Sequence, residues 1–147
     1  MSFKSDYEKS REREIALEKH LQDTYKVLTE NSSEKGDFPN WDISTTGTGK
    51  NAGKLTTFEV KYVGTENVVI ENGRIIDSVL HPTGLSLTDA NYYVLSFTGD
   101  SSFYLIPVTK LKELVADTKN KKTIYDRNNF KLHIFEKEFI LQFCKII

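Results

Sequence analysis

Residues Thr56 to Tyr62 alternate with a period of two. Phe58, Val60 and Tyr62 fall on one face of an extended chain, and Thr57, Glu59 and Lys61 fall on the other. A helix would scatter these residues around its circumference, so the run specifies a half-buried β-strand. A carboxylate and an ammonium then point the same way, two residues apart, on a rigid element. Upstream, Trp41-Asp42-Ile43 sets a second carboxylate in another short apolar run.

The surrounding text supplies partners for that strand. Ser5 to Glu30 reads as a helix, with Ile15, Leu17, Leu21, Tyr25 and Leu28 at helical spacing and Ser5 with Glu8 as a capping box. A polar break over Asn31 to Asp37 and Pro39 precede a short strand at Trp41 to Ser44. The Gly- and Thr-rich segment Thr45 to Lys54 reads as a hairpin loop leading into a strand over Leu55 to Tyr62. Its Gly47-Thr48-Gly49-Lys50 is not a Walker A loop, because Ser44 replaces the first Gly and Asn51 follows the Lys. Asn67 to Glu71 reads as a strand ended by an Asn72-Gly73 turn, with Arg74 to Leu80 returning. Ser86 to Ala90 reads as a helical turn capped by Ser86 and Asp89. Tyr92 to Phe97 is a central strand, Phe103 to Pro107 its return, and Val108 to Ala116 a helix with Thr109 as N-cap. Asn129 to Ile147 is β-rich around Leu132, Ile134 and Phe135, and its last ten residues fit strand or helix. The order predicts an α+β domain, sandwich-like, with a central mixed β-sheet flanked by helices.

The chain has 147 residues, which suits a single domain spanning 1–147 with one core. No apolar run approaches the roughly 20 residues that cross a bilayer, and Met1 to Asp6 lacks a signal-peptide core. The expected setting is therefore cytoplasmic, with no membrane partner. The one cysteine, Cys144, rules out an internal disulfide and a Cys-based zinc site, and its apolar neighbours suit a core residue. A net charge of −1 is not that of a protein binding nucleic acid by bulk charge. Lys110, Lys112, Lys119, Lys121, Lys122, Arg127 and Lys131 nonetheless crowd one segment. That run suits a solvated helix and loop or a local basic face, with Lys119, Lys121 and Lys122 as nucleic-acid contacts. His20, His81 and His133 show no metal-ligand spacing.

Phosphodiester hydrolysis needs an activated water, a cation to neutralise the phosphate, and a group that steadies the developing anion. Hard cations such as Mg²⁺ or Mn²⁺ take oxygen ligands and keep several waters beside one or two carboxylates. Asp42 and Glu59 can supply those carboxylates from adjacent strands, with the backbone carbonyl of Val60 as a third oxygen. Lys61 can orient or deprotonate the attacking water. Trp41 can stack on a base or pack in the core. Read from these residues alone, the strand is either a metal-dependent catalytic site or a solvated face whose Glu59 and Lys61 pair with each other.

The order of blocks adds a resemblance. Phe58-Glu59-Val60-Lys61, then Thr65-Glu66-Asn67 leading to Ile70-Glu71, then Pro82-Thr83-Gly84-Leu85-Ser86, then Thr88-Asp89-Ala90-Asn91-Tyr92-Tyr93-Val94, resembles small, mostly phage-encoded members of the PD-(D/E)XK, or restriction-endonuclease-like, nuclease superfamily. The similarity spans roughly residues 40 to 107. Glu66 and Asn91 depart from the Gly and Asp of the pattern, and no Pro directly precedes Asp42. The resemblance implies a metal-dependent endonuclease acting on DNA, with Asp42 and Glu59 as metal ligands and Lys61 as the catalytic lysine. It adds Glu14 as a helical acid near the metal, with Glu12 and Glu18 competing, and Glu71 as a secondary residue of the site. Cutting two strands takes two sites, which a homodimer would supply. The competing reading keeps the fold without the reaction, as an inactive nuclease-fold protein that binds nucleic acid or a host protein. RNA is the less favoured substrate.

Overall fold

A computed structural model describes residues 6–25, 27–31, 41–47, 54–117 and 119–147. The Ser5 cap, the break before Pro39 and most of the Gly-Thr loop lie outside these residues. The elements, in chain order, are α1 (Asp6–Tyr25), β1 (Leu28–Asn31), β2 (Ile43–Thr46), β3 (Leu55–Val63), β4 (Asn67–Ile76), β5 (Val79–His81), a 3-10 turn (Gly84–Ser86), β6 (Tyr92–Phe97), β7 (Tyr104–Pro107), α2 (Val108–Ala116), β8 (Lys121–Tyr125), β9 (Phe130–Glu136), α3 (Lys137–Leu141) and β10 (Lys145–Ile146). The fold is α+β, as the order of elements predicts.

The strands form two sheets. A six-stranded sheet runs β1-β2-β3-β6-β7-β10, and a four-stranded sheet runs β5-β4-β9-β8. In the first, β3 and β6 are parallel, with Glu59 beside Tyr93 and Lys61 beside Leu95, and the other pairs are antiparallel. The crossover from β3 to β6 is the β4–β5 hairpin and the 3-10 turn, so the second sheet grows out of the connection that parallel pairing requires.

The two faces of the six-stranded sheet hold separate clusters. On one, Leu17 and Leu21 of α1 pack on Ile43, Phe58, Val94 and Phe103. On the other, Val63, Tyr93, Leu95 and Ile106 meet Val68, Ile70 and Phe135 of the second sheet, with Leu111 of α2 and Ile140 of α3. The alternation of β3 thus sorts its residues between two buried layers, and Thr57 and Glu59 share a face with the second layer.

Several elements depart from the sequence reading. The first helix ends at Tyr25, and Leu28–Asn31 is an edge strand paired with β2. Ile15, Tyr25 and Leu28 are exposed, and the buried stripe is Glu14, Leu17 and Leu21. Asn72-Gly73 does not turn the chain. The strand runs on to Ile76 with a register shift between Glu71 and Arg74, and Gly73 takes a φ of 129° there. The turn falls instead at Asp77 and Ser78, both at positive φ, a tight hairpin in which two consecutive residues turn left-handed. The 3-10 turn is boxed by Thr83 with Ser86 rather than by Ser86 with Asp89. No side chain caps α2, which starts at Val108 after Pro107 rather than behind Thr109. The lysine-rich segment after α2 contains a strand, β8, where a solvated helix and loop was one expectation. Among the described residues no helix is long and apolar enough to cross a membrane.

Candidate active site

Asp42 sits one residue before β2, opposite Glu59 by continuation of the β2–β3 register. Its backbone N–H donates to the Phe58 carbonyl at 2.9 Å, and its Oδ2 accepts the Val60 N–H at 2.8 Å. The side chain therefore takes the place of the next β2 backbone partner and is fixed against the edge of β3. A strand residue directs its N–H and C=O toward the same neighbour, so the Val60 carbonyl also opens on the Asp42 side. Glu59 is held from the far side by the hydroxyl of Thr88, which donates to Oε2 at 3.2 Å.

The two carboxyls share a hydrogen bond, and burial raises both above the ordinary carboxylate range. Glu59 is pushed to about 8, first by burial and then by the negative charges of Asp42 and Glu14. Each carboxyl acts on the other, so the pair titrates as one unit. Among the described residues no Lys or Arg lies within salt-bridge distance of either carboxyl, so Glu59 and Lys61 do not form the solvated ion pair that an idle strand face would show. Lys61 follows Glu59 by two residues, half-buried on the same strand face.

The structure brings other predicted residues toward this pair. Glu14 is 6% exposed and acts electrostatically on Glu59. Glu12 is exposed, and Glu18 accepts a hydrogen bond from the Thr29 hydroxyl, so of the three helical acids Glu14 is the one that is buried and whose charge reaches Glu59. Glu71 acts with Glu59 and Asp42 on the Tyr93 phenol, which burial first and these charges next raise above the ordinary phenol range. Trp41 packs against the core between the sheets. Lys119 and Lys122 are exposed, and Lys121 is half-buried. Among the described residues no three His, Cys, Asp or Glu side chains converge as a metal cluster. The donor set is a pair of carboxyl groups on adjacent strands, together with a strand-edge carbonyl. That set fits a hard divalent cation, which needs one or two carboxylates and otherwise water.

Two residues of this site escaped sequence reasoning. Thr88 orients Glu59 and, with Thr57 and Asn91, stitches the start of β6 to β3. Thr57 N–H donates to Asn91 Oδ1 at 2.9 Å, and Ala90 N–H donates to Thr88 Oγ1 at 3.2 Å. Thr88 belongs to the Pro82-to-Val94 block, so the signal was present without its role. Asn91, a departure from the pattern, is thereby occupied in joining strands. Tyr93 reads as core in the sequence and is core, but the parallel register sets it beside Glu59. Gly84 supports the same corner. At φ 53° a Cβ there would lie 2.3 Å from the Glu71 carbonyl oxygen, so only glycine lets the 3-10 turn approach β4.

A cavity of about 750 Å³ lined by Glu66, Phe97, Thr98 and Glu136 touches none of these residues. Of the histidines, His81 is exposed on β5, His20 packs near Phe103, and His133 is buried in the second sheet. The Cys144 thiol is pushed up to about 11 by burial, which makes it a weak nucleophile.

No family model and no curated protein matches the chain. Among solved structures it is similar to a bacterial homing endonuclease, I-Ssp6803I, at 18% identity and a TM-score of 0.56, over 92% of this chain and 81% of that one. The chain has the fold of that endonuclease.

Proposed function

We propose that the protein is a metal-dependent endonuclease that hydrolyses phosphodiester bonds in DNA, of the PD-(D/E)XK type suggested by its sequence blocks. The observation that carries this reading is the Asp42–Glu59 pair, half-buried side by side on adjacent strands and without a cationic partner among the described residues, with Lys61 on the same strand face as Glu59. Two neighbouring acids partly withdrawn from water cost the fold stability, and such pairs cluster at functional sites. The fold shared with a homing endonuclease supports the reading.

Asp42, Glu59 and the Val60 carbonyl would hold Mg²⁺ or Mn²⁺, which when bound neutralises charge on the phosphate and acidifies a water. Asp42 is fixed by the Val60 N–H and Glu59 by Thr88, so both keep their geometry whatever their protonation. Glu59 would serve as a ligand in its ionised form. Lys61 orients the attacking water and offsets charge that develops on the phosphoryl oxygens. Glu14 and Glu71 keep the site anionic. We further place the protein in the cytoplasm, acting as a homodimer where both strands are cut.

The test is cleavage of plasmid and linear DNA with Mg²⁺ or Mn²⁺. Glu59→Ala and Lys61→Ala should each lower the rate at least 100-fold while leaving the far-UV circular dichroism spectrum unchanged. Full activity in both variants refutes the reading.

A further inference from the structure

Strand alternation assigns the inward face of the second sheet to Val68, Ile70 and Phe135 at one end. The same face continues through Asn72, His133, Lys131, Lys121 and Thr123, by the registers of β4 with β9 and of β8 with β9. A face that begins as hydrophobic core thus ends in lysines. With Lys112 of α2, these residues line a cleft of about 530 Å³.

Three ammonium groups share this concavity. Among the described residues none of the three has a carboxylate within salt-bridge distance; on α2, Glu113 pairs with Lys110 rather than Lys112. Lys121 is half-buried, and its hydrogen-bond partners are the neutral Thr123 hydroxyl at 3.1 Å and His133 Nδ1 at 3.4 Å. Thr123 Oγ1 lies 3.0 Å from the same ring nitrogen, and Asn72 Nδ2 lies 3.4 Å from Nε2. Like charges gathered without counter-charges in a cleft raise the local potential and attract anions. The cleft is also tied to the acidic pair. Asn72 follows Glu71, and Ser86, a further lining residue, precedes by two positions the Thr88 that holds Glu59.

We propose that this cleft is a phosphate subsite, holding an uncut phosphodiester group of the same nucleic-acid strand that lies at the acidic pair. Lys112, Lys121 and Lys131 supply the charge, and the Thr123 hydroxyl and Asn72 amide supply neutral donors. The subsite solves a problem set by the acidic pair, which repels a polyanion, by attracting the same strand a short way along the chain. It rests on the nuclease reading for its ligand but not for its test.

The experiment measures binding of a fluorescein-labelled DNA duplex by anisotropy in EDTA, where no cleavage occurs, across a salt series. Combined Lys112→Ala, Lys121→Ala and Lys131→Ala should weaken binding at least tenfold. It should also reduce the slope of log K against log salt by about 1 to 2, as the loss of one or two phosphate contacts requires. Combined Lys19→Ala and Lys145→Ala, on exposed positions of α1 and β10, should change affinity less than twofold. In the wild-type protein, acetylation of lysines with and without duplex should show Lys112, Lys121 and Lys131 protected and Lys19 and Lys145 unprotected. This readout holds even if the triple variant fails to fold. Equal losses in both variant sets, no protection of the three lysines, absence of duplex binding, or protection by inorganic phosphate but not by duplex would each overturn the proposal. Loss of duplex binding in the cleft variant by a protein that never cleaves DNA would uphold the subsite and sink the nuclease reading alone.

Discussion

Glu59→Gln should stabilise the metal-free protein at alkaline pH while destroying its cleavage activity. The folded carboxyl is held at about 8, against 4.5 in an unfolded chain, by burial and by the charges of Asp42 and Glu14. A group whose folded value is raised favours the folded state below its unfolded value, and that contribution is lost as pH rises toward the folded value. The window is therefore pH 4.5 to 8. Each pH unit across it is worth about 1.4 kcal/mol, so full ionisation costs the fold roughly 3–5 kcal/mol, a property of the Asp42–Glu59 pair rather than of either residue. Glutamine keeps the donor to Asp42 and the acceptor for Thr88 but never ionises. In urea unfolding with EDTA, the wild type should lose about 3 kcal/mol more than the variant between pH 5 and pH 8.5. Groups that titrate elsewhere cancel in that difference. Millimolar Mn²⁺ should restore much of the loss to the wild type, by binding the folded state, and little to the variant. Parallel pH profiles for the two proteins, or equal stabilisation of both by Mn²⁺, would refute the reasoning.

The remaining expectations concern the scaffold. Gly84→Ala places a Cβ 2.3 Å from the Glu71 carbonyl oxygen at φ 53°, so it should lower stability by about 2 kcal/mol or more and reduce cleavage by displacing Thr88; a thermal melt within 2 °C of wild type, with full activity, would contradict this. Leu17→Ala removes a fully buried side chain that anchors α1 on Ile43, Phe58 and Val94, and chemical denaturation should show a loss of about 2–5 kcal/mol. His133 is held at about 4, by burial first and by Lys121 and Lys131 next, although its ring, 3% exposed, lies close beneath the cleft surface where water screens part of the effect. Its folded value is depressed, so stability falls as pH drops from 6.5 toward 4. His133→Gln should remove about 1–3 kcal/mol of that acid sensitivity in unfolding measured at pH 4.5 and 7.

Of the residues that the sequence marked as chemical, the fold sets Asp42 opposite Glu59, brings the charge of Glu14 to bear on Glu59 and keeps Lys61 on the same strand face, while Lys119 and Lys122 stay exposed. Asp42, Glu59 and Lys61 could be selected because strand alternation fixes the face of a side chain, whereas Glu14 came from the family resemblance and only its burial separates it from Glu12 and Glu18. Alternation and local spacing are short-range properties, so β3, β6 and α2 were legible along the chain. The end of the first helix was not. Leu28 continues the apolar spacing of α1, but pairing with β2 outweighs the weak helical preference of a segment whose apolar side chain has nothing to pack on. Asn72-Gly73 signals a hairpin turn, and the strand passes through it because β9 continues the ladder beyond the irregularity.

By itself the sequence determined which residues carry charge, which faces are apolar, and that an acid and a lysine share one strand face. Tertiary structure alone decided that Asp42 and Glu59 lie side by side partly withdrawn from water, that Thr88 and Tyr93 stand beside them, and that three lysines from α2, β8 and β9 meet in one cleft. The physical reason is range. Side-chain direction follows from the backbone within a few residues, whereas burial, charge coupling and register depend on segments brought together only when the parallel β3–β6 pair closes over its crossover.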